Sequence, residues 1–286
     1  MKKMKKLKKI VLILALLAGS ASFAQCDVNC VPAYGLTSGV SRFFSVVTCQ
    51  NFLAEKIGGA LIKKAIKKEL NSGNIKAKLD SYSVRDLKAG RFKTIEITGK
   101  DVNVQGVYLS SFQVKTLCDF NYIVDNKKGD IIVKEDIPMS MSAVISEDDI
   151  NKTMNSSDYR RLINDVNRLA GGFFEVNSTY VRLKNNKMYY VIKYNLPFVR
   201  KAKEVVLSAD LCVDNGKIVL ANTSFAGNNS SLDINKFSKL LNYINPLDFS
   251  AKILENKEAN VSVQNVKIKD KQITIDGRMT VLKDKE

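Results

Sequence analysis

The chain has 286 residues, 45% of them apolar, with 45 Lys and Arg against 29 Asp and Glu, a formal net charge of +16 and no histidine. That length holds one large domain or two small ones, and the apolar content is ordinary for a globular protein with a core. Without histidine the usual Ser-His-acid and Cys-His arrangements cannot be built, and the commonest metal ligand is missing, which argues against an enzyme and against a metal site.

The first segment reads as an address. Lys2, Lys3, Lys5, Lys6, Lys8 and Lys9 precede the apolar run Ile10 to Ala18, and Ser22-Phe23-Ala24 supplies small residues where a signal peptidase reads. This predicts a secretory signal over 1–24 and a protein exported to the periplasm or cell envelope. The apolar run is about half of what a membrane span needs. Cys26 invites a lipid anchor, but Gln25 stands where a small residue normally precedes a lipidated cysteine, so anchoring is the lesser reading. Loss of those six lysines leaves 39 basic residues against 29 acidic, a net +10. Outside the cytoplasm such a surface meets anionic phospholipid or other acidic envelope polymers rather than nucleic acid; a merely solvated lysine-rich surface is the plain alternative.

Cys26, Cys30, Cys49, Cys118 and Cys212, in an oxidising compartment, predict one or two disulfides with one thiol left over. Cys26 with Cys30 and Cys118 with Cys212 are two candidate pairs, and the spacing leaves the pairing open.

After an N-terminal loop over 25–40, Ser38 or Ser41 caps an expected helix running to about Leu70. Its second half alternates apolar and lysine pairs, placing Leu61, Ile62, Ala65, Ile66 and Leu70 on one side and Lys63, Lys64, Lys67 and Lys68 on the other. An ordinary amphipathic helix packed on a sheet is favoured over one inserted in a membrane surface. A strand from Ile75 to Val84 follows. The stretch from Leu87 to Tyr122 carries apolar residues in alternating pairs, Ile95/Ile97, Val102/Val104, Val107/Leu109 and Phe112/Val114, separated by Gly99-Lys100-Asp101, Gly106 and Ser110-Ser111. Period-two alternation predicts a twisted antiparallel meander with one apolar wall, the separators being turns or bulges.

Further strands are expected over Leu117 to Val124, Asp130 to Glu135 and Met139 to Ile145. Ser146-Glu147-Asp148-Asp149 reads as a helix cap in preference to a calcium loop, with helices over Glu147 to Met154 and Tyr159 to Leu169. The chain then returns to strands: Phe174 to Leu183, Met188 to Leu196, Glu204 to Val213 and Lys217 to Phe225, with a hairpin turn at Asp214-Asn215-Gly216. A helix over Asp233 to Tyr243 and a last hairpin, Val261 to Ile268 and Ile273 to Val281, close the chain. Asp149-Ile150-Asn151-Lys152 recurs as Asp233-Ile234-Asn235-Lys236, each followed by a hairpin, a faint internal repeat. No nucleophile elbow, phosphate loop or dinucleotide fingerprint is present.

Leu87-x-x-Gly90-Arg91-Phe92-x-x-Ile95-x-Ile97, then Asp101-Val102-x-Val104-x-Gly106-Val107-x-Leu109-x-x-Phe112, resembles the LmeA-like phospholipid-binding family. Ile145-Ser146-Glu147-x-Asp149-Ile150-Asn151 and Leu240-Leu241-x-x-Ile244-Asn245-Pro246-Leu247 are similar to its later landmarks. The resemblance spans about Phe52 to Val281. It implies an α+β, TULIP-like fold, a highly twisted and curved antiparallel sheet wrapped around a long amphipathic helix with short helices added. It also implies phospholipid binding without catalysis or cofactor, in lipid transport or envelope maintenance. The N-terminal cysteine segment and the basicity depart from that pattern.

The expectation is a single domain over 41–286, divisible into 41–145 and 146–286. Ile95, Ile97, Val102, Val104, Val107, Leu109, Phe112 and Val114 would line an acyl groove closed by Leu61, Ile62 and Ile66, with Lys63, Lys64, Lys67 and Lys68 toward anionic headgroups or a membrane surface. A filled dry core is the alternative for each apolar residue. The alternative for the whole is a non-catalytic envelope scaffold that binds a protein or an acidic polymer.

Overall fold

The computed structural model describes residues 28–39, 42, 50–67, 70–125, 131–170, 172, 174–226, 243–247, 249–250 and 259–284. The signal expected over 1–24, Cys26, Cys49, Lys68 and the helix expected over Asp233 to Tyr243 lie wholly or largely outside them.

Helix α1 spans Gln50–Lys67, and a helical bond from the Arg42 N–H to the Ser38 carbonyl, 3.1 Å, stands upstream of it. Strand β1 is Ser72–Asp80, earlier and shorter than expected. The correction has a local cause: Ser83 accepts from the Asp86 N–H at 3.1 Å and caps a short helix, α2, Val84–Lys88. Then come β2 (Arg91–Phe92), β3 (Thr94–Val104), β4 (Val107–Thr116), β5 (Asn121–Asp125), β6 (Ile131–Val133) and β7 (Ile137–Ser146). Helices α3 (Glu147–Met154) and α4 (Ser157–Leu169) lead to β8 (Glu175–Lys184), β9 (Lys187–Asn195), β10 (Lys203–Asp214) and β11 (Lys217–Phe225). The last hairpin is β12 (Ala259–Lys269) and β13 (Gln272–Val281).

The described strands form a six-stranded sheet in the order β1-β3-β4-β7-β13-β12, a four-stranded sheet β11-β10-β9-β8 and a small sheet β2-β5-β6. Every pairing is antiparallel. The fold is therefore mostly antiparallel sheet with few helices, compatible with an α+β class. The β10–β11 turn reaches the large sheet, where the Val263 N–H donates to the Gly216 carbonyl at 2.9 Å.

Of the three expected separators in the meander, only Gln105-Gly106 is a turn, with φ of 49° and 86°. Gly99-Lys100-Asp101 and Ser110-Ser111 lie inside β3 and β4, and in both strands the buried apolar positions switch from odd to even numbers. Asp101 sits at φ 51°. Register is kept throughout, Ile97 facing Val114 below the switch and Val102 facing Leu109 above it.

Ser146 caps α3 as the sequence predicts. Its hydroxyl accepts from the Asp149 N–H at 3.1 Å, and its own N–H donates to Asp149 Oδ2 at 2.9 Å. The hydroxyls of Ser110 and Ser146 donate to that same oxygen, so this carboxylate is occupied as a cap. The hairpin half of the internal repeat is present in both copies: left-handed turns at Asn185-Asn186 and Asp270-Lys271 join β8 to β9 and β12 to β13. The helical half of the second copy falls outside the described residues.

Among the described residues a disulfide joins Cys30 to Cys118, and Cys212 is a free, exposed thiol, which corrects both pairs considered from spacing. It fastens an N-terminal arm, residues 28–39, to the chain just before β5. Beside it Tyr34 packs on Phe120 and Tyr122 and donates to Glu135 Oε1 at 2.6 Å. Thr37 donates its N–H and hydroxyl to the two oxygens of fully buried Asp86, at 2.8 and 2.9 Å.

Candidate functional site

The feature that the sequence builds most insistently is an apolar face. In an antiparallel pair, residues directly opposite each other share a side of the sheet. Ile75, Ala77 and Leu79 of β1 face Gly99, Ile97 and Ile95 of β3. Phe112 and Val114 of β4 face Ala143 and Met141 of β7, and Met139, Ala143 and Ile145 in turn face Met279, Ile275 and Ile273 of β13. Val261 and Val266 of β12 continue the row opposite Met279 and Ile275. One apolar surface thus crosses all six strands, while Glu96, Gln113, Lys115 and Ser140 point to the polar side.

All eight strand residues expected to line a groove belong to this core, each no more than 8% exposed. The sequence reading missed the far half of the wall. Met139, Met141, Ile275 and Met279 lie on it, and their alternation within Ile137–Ser146 and Gln272–Val281 was there to be extended from the meander. Three methionines in one wall give a surface that adapts its shape readily.

Helix α1 rests on β1, the edge strand of the sheet. A Cβ on Gly59 would lie 2.9 Å from the Ala77 carbonyl oxygen, an approach that suits glycine alone, and one on Gly58 would lie 2.6 Å from the movable end of Leu79, Cδ2. Ile66 is fully buried in the core and Ile62 packs against it half-exposed. Leu61 does not join them: it is 62% exposed, turned away from the sheet with Ile57. Lys64 and Lys67 are exposed and Lys63 is half-buried.

Helix α3 covers the part of β4 that β7 does not reach, the Tyr108 N–H donating to Thr153 Oγ1 at 3.0 Å. Below α4 the buried phenols of Tyr159 and Tyr190 meet at 2.5 Å, and Tyr159 also donates to the Ile244 carbonyl. Burial pushes both phenols up; the contact with Tyr190 adds to the rise at Tyr159, while the hydrogen bond with Tyr159 partly offsets it at Tyr190, and both act as neutral hydrogen-bonding groups. Among the described residues no group of three His, Cys, Asp or Glu side chains is placed to hold a metal ion, and no helix is long and apolar enough to cross a membrane.

An apolar wall of this extent, built by strands with a helix at one edge, is suited to aliphatic chains. The family model described as LmeA-like phospholipid-binding matches residues 50–278, from the first residue of α1 into β13. The chain belongs to the LmeA-like phospholipid-binding family. No curated protein and no solved structure matches it. The match begins at Gln50, so the N-terminal arm, residues 28–39, with its Cys30 lies outside the matched residues. Membership supports a lipid as partner, and the family is a lipid-binding one rather than a known class of enzyme.

Proposed function

We propose that this is an exported phospholipid-binding protein of the cell envelope that holds acyl chains against the apolar face of the six-stranded sheet, in lipid transport or envelope maintenance. The observation that carries the reading is the continuous apolar wall in a chain of the LmeA-like family. Each methylene withdrawn from water contributes about 0.8 kcal/mol, so two acyl chains need little more than a long apolar surface. Because Gly58 and Gly59 bring α1 into contact with β1, the chains would lie over β3, β4, β7 and β13, with Ile62 and Ile66 at their margin. The sheet would curl over the helix in the TULIP manner. Lys63, Lys64, Lys67 and the following Lys68 would meet anionic headgroups or a membrane surface. Export rests on the lysine-led apolar leader over 1–24.

Native mass spectrometry of the protein recovered from its own envelope, followed by solvent extraction, tests this. Phospholipid at near-stoichiometric amounts is the expected result. A bare chain mass, together with no uptake from anionic vesicles, would overturn it.

A further inference from the structure

The strands β9 and β10 are joined by Leu196-Pro197-Phe198-Val199-Arg200-Lys201-Ala202, and this tip has an unusual chemistry. The Val199 N–H donates to the Leu196 carbonyl at 3.2 Å, closing a turn with Pro197 second and Phe198 third. Phe198 has φ 66°. That is the pattern of a type II turn, whose third position normally takes glycine because a side chain is strained there. Every other non-glycine residue of positive φ among the described ones is Asp, Asn, Gln or Lys. Here the strained place is given to an aromatic ring that touches nothing: Phe198 is fully exposed, and Val199 beside it is 41% exposed.

Charge surrounds the ring on one side. Arg200, Lys201 and Lys203 follow it, and residues 196–203 contain no carboxylate. The next acid, Glu204, is met by Lys193 at 3.9 Å. A further exposed apolar residue lies toward the same end of the sheet. Asn167 near the close of α4 is bound to Val176, and Val176 pairs with Tyr194 at the end of β9; Leu169, two residues beyond Asn167, is 78% exposed.

We infer that the β9–β10 tip docks this protein on an anionic bilayer, Phe198 and Val199 entering the interface and Arg200, Lys201 and Lys203 meeting acidic headgroups. A short tip offers far less than the roughly 1,000 Å² that a specific protein interface needs, whereas an apolar ring combined with adjacent cations gives the two signals, apolar and electrostatic, that reversible binding to an anionic lipid interface uses. The inference deepens the phospholipid-binding proposal and rests on it: a protein that takes up lipid must meet the membrane, and this tip is a different surface from the lysines of α1.

The test uses the protein as its own host processes it, with vesicles of phosphatidylglycerol and phosphatidylcholine or of phosphatidylcholine alone. The chain has no tryptophan, so Phe198→Trp supplies a single indole at the tip that can be excited selectively over the tyrosines. Its emission should move to shorter wavelength with the anionic vesicles, and the shift should weaken with salt. Phe198→Gly suits the turn, so its melting temperature should hold or rise while its partition onto anionic vesicles falls about tenfold. Arg200→Glu with Lys201→Glu should lower partition at least as far. Anionic-vesicle binding by Phe198→Gly equal to that of the native chain would overturn the inference, as would an emission shift that tracks protein concentration without lipid, the mark of a second copy at the tip. Lipid extracted from Phe198→Gly reports separately on the groove: its retention, with vesicle docking lost, is the expected pair of results, and docking with no lipid ever extracted would sink the groove alone.

Discussion

The side chain of Asn151 meets the backbone of Val181 as one peptide group meets another: Oδ1 accepts from the Val181 N–H at 2.8 Å and Nδ2 donates to its carbonyl at 3.0 Å. Asn167 repeats the arrangement with Val176, at 2.7 and 3.0 Å, and Glu147 accepts from the Leu183 N–H at 2.6 Å. These are residues of β8, the outer strand of the four-stranded sheet. Helices α3 and α4 therefore supply the partner strand that β8 lacks, and blunt an edge that would otherwise recruit another chain.

Asn151→Ala leaves both backbone groups of Val181 without their partner. A loss of about 2–3 kcal/mol in urea denaturation is expected. Asn151→Asp keeps the acceptor and should fall between the native chain and alanine. Equal stability of all three would show that water replaces the side chain at no cost.

Gly58 and Gly59 predict opposite outcomes for the same substitution. Alanine at either should gain about 1 kcal/mol of helix propensity. At Gly58 the new methyl meets the end of the Leu79 side chain, which can rotate aside; at Gly59 it meets the Ala77 carbonyl, which cannot. Thermal melts should show Gly58→Ala neutral or stabilised and Gly59→Ala destabilised.

The Cys30–Cys118 bridge closes a separation of 88 residues. By loop entropy it should contribute about 4–5 kcal/mol, realised through the unfolded chain. Paired Cys30→Ser and Cys118→Ser should lower the denaturation midpoint accordingly. Before any reduction, a thiol reagent should label Cys212, which is free and exposed, in the folded protein.

Asp86 gives the arm a pH dependence. Burial pushes its carboxyl up, but hydrogen bonds from Ser83 and Thr37, aided by the charge of Arg42, outweigh it and hold the group below the ordinary aspartate value of 3.8. A carboxylate depressed in the folded state contributes stability that is present above the unfolded value and lost as pH falls through the folded one. Protection of the Thr37 amide from hydrogen exchange should therefore persist through neutral and mildly acidic pH and fail below about 4. In Asp86→Asn it should be weaker at neutral pH and nearly flat over the same range.

Much of this architecture is readable where a local rule and the tertiary fold agree. The strand Lys217–Phe225 and the cap at Ser146 are where the Asp214-Asn215-Gly216 turn and the cap pattern put them. The failures have separable causes. Ser83 ends its strand through a hydrogen bond to Asp86, a signal masked by the apolar Val84 that follows. Cys30 meets Cys118 across 88 residues, a tertiary proximity that spacing does not encode. Leu61 and Ile66 both look like one apolar stripe, yet five residues place them about 140° apart around the helix. Which of them faces the sheet is set by the glycines at 58 and 59, whose contribution is their smallness, and hydropathy does not register smallness. Phe198 escaped notice because it stands in a loop, where a single apolar residue carries no period.

The matched switch in β3 and β4 has a consequence for how this chain can change over time. Ile97 and Val102 are separated by the same number of positions as Leu109 and Val114, and each separation is odd. Removing Asp101 alone would throw Val102 and Val104 out of step with their partners; removing one residue from each strand would restore plain alternation on both. Relatives that differ in length here should differ in both strands at once, so that an insertion in one is a prediction of an insertion in the other.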